Sequence, residues 1–241
     1  MITLRKLEGL PPGTRGRKLL SLLAEDHDPD YDAGLVRLAF GLLGEPGAAV
    51  ADARAKAILR QRLGLHLGLS VADWDLQAPP DRQGEVVRFP FSVWLEDVRS
   101  PFNVGSIMRT AEAYGFSAVC HSPSTPGVDH PRTRRTAMGA EALLTVEALS
   151  LDRLKARWGG RPVFALELGG VPVARFDFPA EGLVLVGGEE LGLSADALAW
   201  AEASGGRVSL PLYGRKASLN VGVAFGVLAA AWTGAFPRTS S

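Results

Sequence analysis

The sequence predicts an α/β fold: a mostly parallel sheet with helices on both faces, preceded by a small helical N-terminal extension. Three observations carry this. Short apolar runs alternate with helix-spaced segments from about residue 88, residues 1–75 show helical spacing alone, and the stretch between them is rich in proline and polar groups. Alternation of strand and helix implies parallel strands, because each return connection lays a helix on a sheet face. The organisation expected is therefore helices over 1–75, a linker over 76–87 marked by Pro79-Pro80-Asp81, and an α/β domain over 88–241.

Taken in order, Thr14 is placed to cap a helix carrying Leu19, Leu20, Leu22 and Leu23, and helices follow over 31–43 and 48–67. In the second region, strands are expected over 91–98, 118–121, 162–168, 183–186 and 208–210. Between them come helices over 103–114 with Asn103 as N-cap, 151–158 capped by Ser150, a helix through 203 capped by Ser194, and a last one over 217–232.

Composition bounds the class. Of 241 residues, 46% are apolar and 22% charged, which is ordinary for a soluble domain and excludes disordered and collagen-like chains. The single cysteine, Cys120, sits in an apolar run; a lone buried thiol implies a reducing compartment and no disulfide scaffold. No metal is expected, since His121 and His130 are not at ligand spacing with other donors. Residues 1–10 are too polar for a signal peptide, and the apolar run at 221–232 is short of the roughly 20 residues a membrane span needs, so a cytoplasmic protein is expected. Net charge is zero, but basic groups gather in 1–20 and 53–62 and acids in 21–52. Such segregation makes either a basic face or a solvated helical surface, and both readings stay open.

Open parallel sheets bind ligands at the carboxyl ends of their strands, and three loops there are unusual. In Ser100-Pro101-Phe102-Asn103-Val104-Gly105-Ser106-Ile107-Met108-Arg109, a helix start and Arg109 can together face an anion. In the second loop, a strand runs into Gly187-Gly188-Glu189, where the backbone can approach a ligand. This is no dinucleotide fingerprint, and Glu189 would repel a pyrophosphate but tolerate a cation. In the third, Ser218 and Asn220 are the strongly polar side chains at the head of an apolar helix, where Ser218 reads equally well as a plain cap and Asn220 is expected in the first turn of a buried helix, as an amide that needs partners. Gly222, Gly226 and Ala230 recur four apart, a stripe for close packing in a core or a dimer.

Together the three loops resemble the signature segments of the SpoU (TrmH-like) class of the SPOUT RNA 2′-O-ribose methyltransferases. Asn103, Gly105 and Arg109 are similar to N-x-G-x-x-x-R. Gly187, Glu189, Gly192, Leu193 and Ser194 are similar to G-x-E-x-x-G-L-S. Leu210, Pro211, Gly214, Ser218, Leu219, Asn220 and Val221 are similar to I-P-x-x-G-x-x-x-S-L-N-V. Gly222 stands where relatives often carry serine, and residues 1–75 do not resemble the α/β substrate domain of many relatives.

The resemblance implies a C-terminal trefoil knot, a homodimer, and S-adenosylmethionine bound by Gly187, Leu210, Leu212 and Leu219, with the loop after 162–168 as a further wall. It implies methylation of a ribose 2′-hydroxyl in rRNA or tRNA, with Arg109 central and Asn103, Glu189, Ser218 and Asn220 shaping the site. Glu189 would accept hydrogen bonds from Asn103 or Arg109. Arg132, Arg134 and Arg135 read as an RNA-phosphate clamp, with a solvated loop as the alternative. The rival function is a catalytically silent SPOUT-fold RNA-binding protein; a nicotinamide enzyme is disfavoured because the glycine fingerprint is missing.

Overall fold

The computed structural model describes residues 2–45, 51–69 and 86–236. The chain divides into two compact units, Met1–Asp81 and Arg82–Ser241. The expected linker over 76–87 lies, up to residue 85, outside the described residues, as do the first residues of the helix expected from 48.

The described part of the first unit contains helices α1 (Leu4–Glu8), α2 (Pro12–Leu22), α3 (Pro29–Leu43) and α4 (Ala53–His66). Helix α2 begins at Pro12 rather than after Thr14, because proline at the first helical position has its φ already set. Asp28 and Asp52 cap α3 and α4 by accepting from Tyr31 N and Ala55 N. Leu7, Leu19, Leu35, Leu59 and Leu63 form the core. Within this unit Lys56 is buried, its Nζ donating to Asp32 Oδ2 at 2.8 Å, Asp26 Oδ1 at 2.9 Å and the Glu25 carbonyl at 2.6 Å.

The second unit holds a six-stranded, all-parallel sheet in the order β3-β2-β1-β5-β4-β6. Its strands are β1 (Phe91–Glu96), β2 (Ala118–His121), β3 (Thr145–Ala148), β4 (Val163–Pro172), β5 (Gly182–Gly187) and β6 (Arg207–Ser209). The helices are α5 (Pro101–Ala113), α6 (Pro131–Ala137), α7 (Leu151–Trp158), α8 (Ala195–Glu202) and α9 (Val221–Gly234). Alternate strand residues face opposite sides. Phe91, Val93, Leu95, Val184 and Val186 pack with α5 and α9, whereas Trp94, Leu183 and Leu185 pack with α7 and α8. On the first face Trp232 of α9 stacks on Phe91 at 4.1 Å and donates its indole N–H to the Pro179 carbonyl.

Several elements differ from the sequence reading. Helix α5 starts at Pro101 with Ser100 as its N-cap, so Asn103 lies inside the first turn. The last helix starts at Val221, not 217; Asn220 is its cap, accepting from Gly222 N and Val223 N, and is exposed rather than buried, and Ser218 is exposed as well. The segment with Arg132, Arg134 and Arg135 is not a loop but helix α6, capped by His130. Gly222 and Gly226 face Ser106 and Thr110 of α5, so that part of the small-residue stripe serves packing within the chain.

Candidate active site

The chain reverses its direction of sheet growth between β1 and β5, which are neighbours although β2, β3 and β4 intervene in sequence. A crevice at the carboxyl ends of strands is expected beside such a switch. A cavity of about 680 Å³ opens there, walled by the middle of β4, the end of β5 and the loop after it, the loop after β6 and the start of α9. Gly187, Leu210, Leu212 and Leu219 all line it, together with Glu189, Ser218 and Asn220. Leu166, Glu167 and Leu168 supply a further wall from within β4, which runs on to Pro172, rather than from a loop after residue 168. Glu167 has no counterpart in the sequence reading because a single carboxylate within a strand carries no local signal.

Gly187, the last residue of β5, and Gly188 line the cavity and have a second physical reason to be glycine. A Cβ on Gly187 would sit 2.1 Å from Gly192 C and 2.3 Å from Leu193 N. One on Gly188 would sit 2.5 Å from the Asp97 carbonyl. The missing side chains thus let this chain's own backbone pass closely on both sides. The same reasoning applies at Gly105, where a Cβ would lie 2.4 Å from the Thr133 carbonyl of α6.

Side chains from three loops then interlock. Asn103 Nδ2 donates to Glu189 Oε1 at 2.7 Å, and Asn220 Nδ2 donates to Asn103 Oδ1 at 3.0 Å. The backbone N–H groups of Arg99 and Ser100 also donate to Glu189, and the Arg99 guanidinium pairs with Glu190 at 2.8 Å. Burial works to raise the pKa of Glu189, but the bonds from Asn103 and the backbone more than offset it, so the carboxyl titrates below its ordinary value. Beneath this, Asp97 adopts φ +54 and is tethered by Ser122 and Ser124, whose hydroxyls hold its carboxyl below the usual range. Glu96 accepts from both the N–H and the hydroxyl of Ser194 at 2.7 Å, fixing the start of α8.

Arg109 lies outside the interlock. It is exposed on α5, with Nη1 2.7 Å from Met138 Sδ, and the donors to Glu189 are Asn103 and the backbone of the β1–α5 loop. Met138 ends α6 in the left-handed conformation. The arginine helix therefore packs against the helix bearing Arg109, and Arg132 lies 5.8 Å over the Phe102 ring. Cys120, within β2, is buried, which pushes its thiol up to about 11 and leaves it unreactive. Among the described residues no cluster of His, Cys, Asp and Glu is arranged to hold a metal, and no helix is long and apolar enough to cross a membrane.

A family model described as the SpoU rRNA Methylase family matches residues 90–230, more than half of the chain. The chain belongs to the SpoU rRNA Methylase family. Among its SpoU relatives, the 23S rRNA (guanosine(2553)-2'-O)-methyltransferase RlmP of Bacillus subtilis (strain 168) is 32% identical over 139 residues, covering 56% of this chain and 54% of that protein. The 23S rRNA (guanosine-2'-O-)-methyltransferase RlmB of Acinetobacter baylyi is 30% identical over 139 residues, covering 55% of each. The chain thus spans about half the length of these curated relatives. Among solved structures, the SpoU methyltransferase AviRb from Streptomyces viridochromogenes in complex with AdoMet superposes with a TM-score of 0.53 at 30% identity, covering 62% of each chain.

Proposed function

We propose that this chain is an S-adenosylmethionine-dependent methyltransferase acting on a ribose 2′-hydroxyl of rRNA or tRNA. The observation that carries the reading is the cavity at the β1/β5 switch. It is lined by leucines and glycine backbone from the second and third segments that resemble the family signature, and the first segment joins it through the Asn103 bonds to Glu189 and Asn220.

The cavity also fits the cofactor. Its size suits a nucleoside-sized ligand, its leucines suit a purine, and the lining carries Glu167, Glu189 and Glu190 but no Lys or Arg, which favours a cation over a phosphate. When bound, S-adenosylmethionine supplies an electrophilic methyl group. Gly187, Leu210, Leu212 and Leu219 would hold it. Asn103, Glu189 and Asn220 fix the three loops relative to one another, and Ser218 adds a hydroxyl to the wall. Arg109 keeps its proton as guanidinium, holds a phosphate next to the target ribose, and stabilises negative charge as the 2′-oxygen loses its proton to solvent. Arg132, Arg134 and Arg135 bind further phosphates, and the helices of residues 1–75, before the 76–87 linker, select the RNA.

We further read the 88–241 domain as a trefoil knot, supported by the backbone packed on both sides of Gly187 and Gly188. A homodimer is supported by the exposed apolar residues Val223 and Val227 on α9, beside Leu219. A cytoplasmic setting follows from an RNA substrate and a single unpaired thiol.

The test is methyl transfer from labelled S-adenosylmethionine into total RNA that lacks this modification, followed by nucleoside digestion. A labelled 2′-O-methylnucleoside is expected, absent with Arg109→Ala and largely lost with Arg109→Lys, because an ammonium lacks the bidentate fork. Cofactor binding without any labelled product would overturn the reading in favour of a silent RNA-binding protein; near-normal turnover by Arg109→Lys would remove Arg109 from the centre.

A further inference from the structure

The loop between β6 and α9 is divided in its behaviour. Leu210, Leu212, Ser218 and Leu219 line the cavity, but between them the chain turns to solvent, and Tyr213 is 95% exposed. One exposed apolar side chain is normal on any surface. Here two further features accompany it. Arg215 and Lys216 follow within three residues, also exposed, and neither takes part in the ion pairs found among the described residues. Leu191, on the loop after β5 that also lines the cavity, is 92% exposed. The loops that line this one cavity therefore present an aromatic ring, an aliphatic side chain and two unpaired cations to solvent.

That combination matches single-stranded RNA. Unstacked bases are held on aromatic faces, and phosphates on either side are held by cations. A tyrosine is suited to the task because its ring is large and only two side-chain torsions have to be fixed on binding. We propose that Tyr213 is the stacking platform for a base of the substrate RNA at or beside the methylated nucleotide, with Arg215 and Lys216 holding the flanking phosphates. The proposal rests on the RNA methyltransferase reading above and names the residue that would position the RNA strand at the cavity mouth. Stacking is tolerant of base identity, so Tyr213 supplies placement, and selection of the site is left to other contacts.

The experiment uses the full chain and a single-stranded RNA oligonucleotide carrying 2-aminopurine, whose fluorescence falls when it stacks. Quenching is expected with the wild type, Tyr213→Phe and Tyr213→Trp. With Tyr213→Ala it should be lost, and binding should weaken by about 5- to 150-fold, the range that one stacked base supplies. Arg215→Ala and Lys216→Ala should each flatten the dependence of log affinity on log salt by about 0.7, the slope of one phosphate contact on a single strand. Affinity of Tyr213→Ala for S-adenosylhomocysteine and its sedimentation should match the wild type. No quenching with the wild type, or undiminished binding by Tyr213→Ala, would overturn the proposal. So would an equal loss of cofactor affinity or of subunit association in that variant, which would assign the ring to the cofactor or to a second copy of the chain. Quenching without methyl transfer to any RNA would overturn the methyltransferase reading and leave the stacking site standing.

Discussion

Replacing Asn103 with alanine removes two hydrogen bonds at once, the 2.7 Å bond donated to Glu189 and the 3.0 Å bond accepted from Asn220. A bond to a charged group contributes roughly 1.5–3 kcal/mol and a neutral one roughly 0.5–1.5 kcal/mol when both are well shielded. These two are open to solvent, so water replaces part of each, and about 1–2 kcal/mol in total is the expected loss. For a domain of this size that lowers Tm by roughly 2–8 °C. The effect on turnover should be larger. Asn103 ties Glu189, and through it the β1–α5 loop, to the head of α9, and a displacement of about 1 Å in a reacting geometry costs on the order of 100-fold in rate. The assay is methyl transfer at saturating RNA and cofactor, alongside a thermal melt and a cofactor titration. A kcat reduced about 10- to 100-fold is expected, with cofactor affinity little changed because Asn103 is not part of the cavity wall. Unchanged kcat with the predicted loss of Tm would refute the reasoning, since the interlock would then be a brace without bearing on the chemistry.

Two other outcomes follow from the packing and the buried charges. Gly187→Ala places a Cβ 2.1 Å from Gly192 C, where backbone rather than a flexible side chain must move. A loss of about 1–3 kcal/mol or more in thermal unfolding and a weaker cofactor titration are expected, and wild-type values for both would refute it. In the first unit, burial works to raise Asp32 and to lower Lys56, but their mutual hydrogen bond and those from His27 and to Asp26 more than offset this, leaving Asp32 lowered and Lys56 raised. The Asp32 contribution is therefore present above about pH 3.9 and lost as pH falls through its lower folded value. The Lys56 contribution is present below about pH 10.4 and lost as pH rises through its higher folded value. At neutral pH, Asp32→Asn should speed amide exchange in α3 and α4 to the extent of about 3 kcal/mol, because it leaves a buried ammonium without its buried partner. Unaltered exchange would show that Asp26 and the Glu25 carbonyl suffice.

The central strands and the three loops were legible because their signals are local. Gly, Asn, Ser and Glu at strand–helix junctions are chosen by capping and close backbone approach, and β1, β2 and β5 are apolar enough to declare themselves. Strand β3 was missed because Thr145–Ala148 is a short, half-exposed edge with no apolar run. Helix α6 was missed because only Thr133 and Ala137 are buried in it, so seven residues carry no visible period. The cap of α5 was misplaced at Asn103 although Pro101 marks the first turn. At Asn220 the residue was right but the environment was not: the side chain caps a helix at an open rim instead of sitting within a buried one. Glu96 owes its place to pairing with Gly187, Asp97 to the positive-φ turn that follows β1, and Glu167 to the irregular stretch of β4 after Leu166, none of which a local pattern announces.

The order of the sheet also bears on how the chain is made. Strand β1 pairs with β2 on one side soon after it is synthesised, but its other edge waits for β5, with Phe91 opposite Gly182, 91 residues further along. At about 5–20 residues per second, the apolar segment Phe91–Glu96 leaves the ribosome roughly 5–20 s before its second neighbour exists. Until then the middle of the future sheet is an open edge able to pair with another chain. A strand buried at the centre of the finished sheet is thus its most vulnerable during biosynthesis, and the last helix seals a centre that was the first part of the sheet to be made.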